Sequence, residues 1–301
     1  MSAKVAIAES ALTLPRGRVS DYFELTKPRV VLMVLVTTLA GFYLGGRSGF
    51  DVTLALNLLA GTALAAGGTL ALNQYIERDI DAMMDRTRHR PLPDLRMRPA
   101  EALTFGIGAT AAGFVYLALA TNILCAAVTA AITFIYLGAY TPLKRYTWMC
   151  NVIGAIPGAL PPVAGWAAAR GGPGWEPMVL FAIMFLWQLP HTFAVARLYR
   201  TDYARAGIHL LPQDSPRGGN RSNPIVIAAS IGLIAVGIIP TMLGFAGTPY
   251  MLVGCALGLW MLMFGVAMVR SPGNSKAARR LLLASLVYLP IVLLALVLDR
   301  V

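Results

Sequence analysis

The chain has 301 residues, 57% of them hydrophobic and 13% charged, with a mean hydropathy of +0.66 and a formal net charge of +11. Soluble domains carry roughly 45–50% apolar and 25% charged residues, so this balance excludes an ordinary soluble domain and indicates a polytopic membrane protein. Cys125, Cys150 and Cys255 are odd in number and far apart, which suggests neither a disulfide framework nor a zinc site.

Residues 1–26 are polar, lack the apolar core of a signal peptide and read as a cytoplasmic lead to a single membrane domain over 27–301. Nine stretches then follow that contain no Asp, Glu, Lys or Arg and are long enough to span as helices: roughly 30–46, 52–72, 102–120, 122–140, 152–169, 178–196, 224–243, 250–269 and 281–298. The fifth is interrupted by Pro157, Pro161 and Pro162. Basic residues test the count. The N-terminal segment and the even-numbered loops hold 22 of the 25 lysines and arginines, and the alternate loops with the C-terminal tail hold 3. By the positive-inside rule the N-terminus is cytoplasmic and the C-terminus outside. The net positive charge is then topological signal plus attraction to anionic lipid and anionic substrate, and requires no nucleic acid.

The loop after span two is the densest in charge. Asn73, Glu77, Asp81 and Asp85 recur every four residues, a rotation of about 40° per step on a helix, so all four are expected on one broad face while Asp79 points elsewhere. Arg78, Arg86, Arg88 and Arg90 lie beside them. Hard oxygen ligands for Mg²⁺ next to guanidinium forks are what a metal-bridged diphosphate needs. The loop after span six repeats the pattern in kind, from Arg197 through Tyr199, Asp202 and Arg205 to Gly207. A third polar patch on the same side follows span four, with Tyr140, Lys144, Arg145 and Tyr146. This spacing predicts an all-α membrane protein of two four-helix halves plus a ninth helix, its three polar patches meeting at the cytoplasmic mouth of one cavity.

These motifs resemble those of the UbiA superfamily of intramembrane prenyltransferases. The Asn73, Glu77, Asp81 element resembles the family's Asn-x-x-x-Asp-x-x-x-Asp, with Glu in place of the first Asp, and Tyr140, Lys144 and Arg145 resemble its Tyr-x-x-x-Lys-Arg patch. Within the superfamily the chain is most similar to the protohaem IX farnesyltransferase family. The similarity rests on Leu25-Thr-Lys-Pro-Arg29, Arg78-Asp-Ile-Asp81 with Arg86-Thr-Arg-His-Arg90-Pro-Leu-Pro93, Trp187-Gln-Leu-Pro-His191, and Tyr199 through Gly207 to Leu211-Pro212. It covers about residues 20 to 300. His89 and His209 depart from the family pattern, and only Asp202 represents the second acidic pair of other superfamily members.

The resemblance implies a UbiA-like fold in a bacterial inner membrane and Mg²⁺-dependent transfer of farnesyl from farnesyl diphosphate to a vinyl group of protohaem IX. It implies Mg²⁺ on Asn73, Glu77 and Asp81 with help from Asp202, diphosphate contacts from Arg29, Arg78, Lys144 and Arg145, and a substrate pocket including Asp85, Tyr140, His191 and Tyr199. Membrane lipid surrounds such an enzyme, and a haem A synthase is its downstream partner. From the residues alone, His191 within an apolar span is either a packing residue or a haem-facing group, and Tyr140 either an interfacial belt residue or part of a cation pocket. Prenyl transfer to an aromatic quinone precursor is the nearest alternative function. A transporter would carry its charges near mid-membrane, whereas every Asp and Glu here lies at a loop or helix end, and a haem carrier would not need the clustered carboxylates.

Overall fold

Proline and short polar side chains set the helix boundaries. A computed structural model describes residues 18–46, 49–172, 174–212, 222–271 and 273–301; most of the N-terminal lead and the basic residues Lys4, Arg16, Arg47, Arg217 and Arg221 lie outside them. The described elements are all helical: α1 (Arg18–Leu25), α2 (Pro28–Gly45), α3 (Val52–Asp81), α4 (Pro99–Ala120), α5 (Ile123–Ile135), α6 (Cys150–Ala159), α7 (Pro161–Arg170), α8 (Glu176–Leu198), α9 (Arg200–Arg205), α10 (Ser222–Met242), α11 (Thr248–Arg270) and α12 (Ser275–Leu298). Asp51 caps α3 by accepting from Leu54 N–H at 2.9 Å, and Asn122 caps α5 by accepting from Cys125 N–H at 2.9 Å. Asn274 likewise accepts from Lys276 and Ala277 N–H at the start of α12, so three helix entries have orphan donors satisfied by a side chain.

Among the described residues nine helical segments are long and apolar enough to cross a membrane, matching the nine expected spans. The fifth is two helices, α6 and α7. Pro161 and Pro162 cannot donate into the ladder of the preceding turn, so a new helix starts there with Pro at its first positions. The second span is the long one. The 30 residues of α3 reach about 45 Å against a hydrocarbon core of about 30 Å, so its last turns emerge on one side carrying Asn73, Glu77 and Asp81.

The helices pack largely with their sequence neighbours: α3 on α4, α10 on α8 and α11, and α12 on α8 and α11. The halves are joined through α2 against α7, and α12 also touches α2. The α2–α7 crossing depends on Gly41 and Gly165. A Cβ on Gly41 would overlap the backbone of Pro162, and one on Gly165 the carbonyl of Thr38, so only glycine admits this approach. Around the axis these helices leave a cavity of about 440 Å³ lined by α2, α3, α5, α6, α7, α8 and α12.

Candidate functional site

The strip on α3 forms as its spacing predicts for three of its four members. Asn73, Glu77 and Asp81 are buried at 0%, 8% and 2% exposure on a helix that otherwise emerges toward water. Asp85 is not among them. The helix ends at Asp81, the chain turns, and Asp85 is exposed and bound by Arg205 at 2.9 Å. The four-residue period therefore overextends by one step, because the run from Ala82 onward is turns that close on Met84 and Thr87 rather than a continuing ladder. Thr87 Oγ1 donates to the Asp81 carbonyl at 2.8 Å, holding that turn against the helix end.

Three cations meet the strip. Lys27 Nζ donates to Asn73 Oδ1 at 2.9 Å, Lys144 Nζ to Glu77 Oε1 at 2.7 Å, and Arg90 to Asp81 Oδ2 at 2.6 Å. Lys27 sits between α1 and α2 in the left-handed region at φ 51°, a conformation that costs a non-glycine residue about 1–2 kcal/mol. Gln74, one residue along α3, donates to the Leu25 carbonyl at 2.7 Å and fixes the turn that aims it. Lys144 follows a π-helical turn, Tyr136–Tyr140, at the end of α5. Pro142 has no N–H for the Gly138 carbonyl and its ring crowds that group, which accounts for the widened turn. The turn brings the Tyr136 and Tyr140 rings together, tilted by 41° with centroids 5.2 Å apart, and sets Lys144 Nζ 4.4 Å from the Tyr140 ring. Thr141 accepts from Asn73 Nδ2 at 3.1 Å, tying the turn to the strip.

The two lysines are in different electrostatic states. Burial, reinforced by Arg90, lowers Lys27 to about 7 against the pull of Glu77 and Asp81. Burial also works to lower Lys144, but Tyr140 and Glu77 outweigh it and hold this ammonium above its usual range. The site thus holds one locked cation and one that titrates near neutrality.

The three polar patches converge as expected. Lys144 joins the third patch to α3, the Lys144 carbonyl accepts from His209 N–H at 2.8 Å, and Arg205 reaches Asp85. Tyr203 on α9 packs against the same buried cluster of Ile80, Met84 and Cys150 as Tyr140 and Leu143. Asp202 faces Arg205 at 3.5 Å, Tyr199 is 39% exposed and lies under Arg86, and Arg29 and Arg145 are exposed. Arg78 turns away, donating to the Tyr75 carbonyl at 2.7 Å. Of the anticipated diphosphate contacts Lys144 meets the strip, and Lys27 and Arg90, which were not among them, meet it as well. Lys27 and Arg90 lie within the Leu25–Arg29 and Arg86–Pro93 motifs, but only the fold reveals which basic side chains turn inward.

Below Tyr136 and Tyr140 the cavity continues among apolar and threonine side chains to Met184, Leu286 and Leu289. His191, on α8, lines its wall with Trp187 and Gln188. The His191 and Trp187 rings stack at 5.0 Å and 24°.

Among the described residues no three His, Cys, Asp or Glu side chains converge closely enough to hold a metal unaided. The strip nevertheless suits Mg²⁺, which takes one or two carboxylates and completes its shell with water and substrate phosphates. Glu77 and Asp81 with the Asn73 amide supply that oxygen set, and Lys27, Lys144 and Arg90 supply donors for remaining phosphate oxygens.

Residues 34–287 match the model of the UbiA prenyltransferase family. The chain is 44% identical to a protoheme IX farnesyltransferase of Solibacter usitatus, over 93% of this chain and 98% of that one. It is 42% identical to the enzyme of that name in Myxococcus xanthus, covering 94% and 95%. In fold it is similar to a digeranylgeranylglyceryl phosphate synthase, with TM-score 0.76, 16% identity and coverage of 93% and 98%. A UbiA homologue of Archaeoglobus fulgidus bound to DMAPP and Mg²⁺ superposes with TM-score 0.65 at 17% identity, covering 92% and 99%. Nine apolar helical segments among the described residues with a cavity between six of them, an amide and two carboxylates on one emergent helix, and a family match over most of the length agree: this chain belongs to the UbiA prenyltransferase family.

Proposed function

We propose that the protein transfers a farnesyl group from farnesyl diphosphate to a vinyl group of protohaem IX, giving haem O. The observation that carries this reading is a buried strip of Asn73, Glu77 and Asp81, met by Lys27, Lys144 and Arg90, directly above an apolar cavity walled by His191. The relatives named protoheme IX farnesyltransferase, at 41–44% identity over nearly full length, support the choice of acceptor.

Mg²⁺ held by Asn73, Glu77 and Asp81, with Asp202 contributing from α9, would supply electrophilic stabilisation of the departing diphosphate. Lys144, Arg90 and Lys27 bind the phosphate oxygens, their present partners being carboxylate and amide oxygens of the same strip. The C1–O bond of the donor breaks with its electron pair leaving on diphosphate. The vinyl π pair bonds to C1, water adds at the resulting carbocation, and its proton is lost to solvent, leaving a hydroxyethylfarnesyl side chain. Tyr136 and Tyr140 present ring faces at the point where the allylic charge develops, and the apolar walls limit water there. The tail lies along the cavity, Tyr199 and Asp85 stand at the entrance, and Arg29, Arg78 and Arg145 add positive potential outside it. The enzyme lies in a bacterial inner membrane with its N-terminus cytoplasmic and C-terminus outside, passing haem O to a haem A synthase.

The test is purified protein in lipid nanodiscs with farnesyl diphosphate, Mg²⁺ and protohaem, followed by mass spectrometry of the haem. A farnesylated, hydrated haem is expected. Unmodified haem alongside prenylation of an aromatic quinone precursor would transfer the assignment to that acceptor.

A further inference from the structure

His191 and the Trp187 ring stacked on it each make a polar contact to one residue of the last helix. Its Nδ1 lies 2.8 Å from Ser285 Oγ, and Trp187, one turn earlier on α8, donates its indole N–H to the Ser285 carbonyl at 2.7 Å. Ser285 is fully buried, and its hydroxyl hydrogen is committed to the Leu282 carbonyl at 2.6 Å. A serine hydroxyl has one hydrogen to give, so toward His191 its oxygen can only accept. The proton of that contact therefore belongs to His191 Nδ1. Among the described residues that line the cavity there is no Asp or Glu to favour a doubly protonated ring, and a neutral imidazole with hydrogen on Nδ1 carries a bare lone pair on Nε2.

We propose that Ser285 is a positioning residue that fixes His191 as the Nδ1–H tautomer and directs its Nε2 lone pair at the haem iron, with Trp187 locking the ring plane by stacking and by its own bond to Ser285. The proposal rests on the haem-acceptor reading and adds to it how the acceptor is oriented. Ligating histidines characteristically donate their second ring N–H to a fixed acceptor, which settles tautomer and orientation together. A haem seated on Nε2 has its plane set by the α8–α12 contact. The iron is a handle for orientation and undergoes no redox change.

Two measurements on the full-length protein test this. In haem-free protein, ¹⁵N NMR of the imidazoles, with His191 assigned by its absence in His191→Ala, should show hydrogen on Nδ1 in the wild type. The tautomer should shift toward Nε2–H in Ser285→Ala and return to Nδ1–H in Ser285→Thr, which keeps the hydroxyl. Titration with ferric protohaem should show a changed Soret band and about 10- to 100-fold weaker binding in Ser285→Ala, again restored in Ser285→Thr, the usual effect of losing such a partner. Mg²⁺-dependent farnesyl diphosphate binding should persist in both Ser285 variants. If His191→Ala changes the haem spectrum but Ser285→Ala leaves tautomer and affinity as in wild type, the positioning role is wrong while ligation stands. A haem spectrum unchanged in His191→Ala overturns ligation and positioning together, and detection of Nε2–H in the wild type overturns the positioning role outright.

Discussion

Replacing Lys144 by methionine should destabilise the protein by about 3 kcal/mol, and removing its partner as well should recover most of the loss. Lys144 Nζ and Glu77 Oε1 are 2.7 Å apart, with side chains 13% and 10% exposed. At an effective dielectric of about 20 this pair has a gross attraction of about 6 kcal/mol, most of which offsets the desolvation of both groups. Deleting only the cation leaves a buried carboxylate without its compensation, a change that costs about 3–5 kcal/mol in buried pairs. The lower end applies because Lys27 also feels Glu77 and gains charge when Lys144 is removed. In Lys144→Met with Glu77→Gln no charge is stranded and the methylene stem still packs on Tyr140. The assay is reversible unfolding by steric trapping in bicelles for the wild type, both single variants and the double. A single-variant loss below about 1 kcal/mol, or a double variant no more stable than Lys144→Met, would refute the claim that this pair is a buried unit. Turnover should be lost in the double variant despite its stability, since the proposed function uses Glu77 for Mg²⁺ and Lys144 for the diphosphate.

Asp81→Ala should lower turnover by about 10²–10³-fold while the protein remains folded in the membrane, as expected for loss of a group that stabilises leaving-group charge; near wild-type rates would remove Asp81 from metal binding. Glu77→Asp should retain substantial activity, measured as haem farnesylation at saturating Mg²⁺, because the carboxylate is kept. Lys27 supplies a pH signature. With a pKa lowered to about 7 it is mostly neutral at pH 8, and an incoming diphosphate favours the ammonium, so binding should take up close to one proton, read as buffer-dependent calorimetric enthalpy and abolished in Lys27→Gln. The same depression means the folded chain holds fewer protons than the unfolded chain above pH 7, so this residue lowers stability as pH falls through about 10 to 7. A reporter fused after Val301 should be active outside the cytoplasm and silent within it, and the reverse would overturn the topology drawn from the basic residues.

Sequence alone determined the elements that depend on local chemistry and on the bilayer. Apolar runs long enough to span, the 22 to 3 division of basic residues and the i, i+4 spacing of Asn73, Glu77 and Asp81 are one-dimensional patterns, and the nine spans and the polar strip follow from them directly. The strip failed at its fourth member for a reason that spacing does not encode: Asp85 lies beyond the helix end, where exposure and Arg205 decide its surroundings. Tertiary structure decided which cations matter. Lys27 turns inward because Gln74 holds the α1–α2 turn, Arg90 because its loop folds back on Asp81, while Arg78 on the same helix as the strip is held by the Tyr75 carbonyl. A basic side chain is long enough to serve either face, so its role is set by packing and not by its place in the motif. The sequence placed His191 in an apolar span, but the proton on its ring is decided by Ser285, 94 residues away, through a contact that exists only because α8 and α12 pack together.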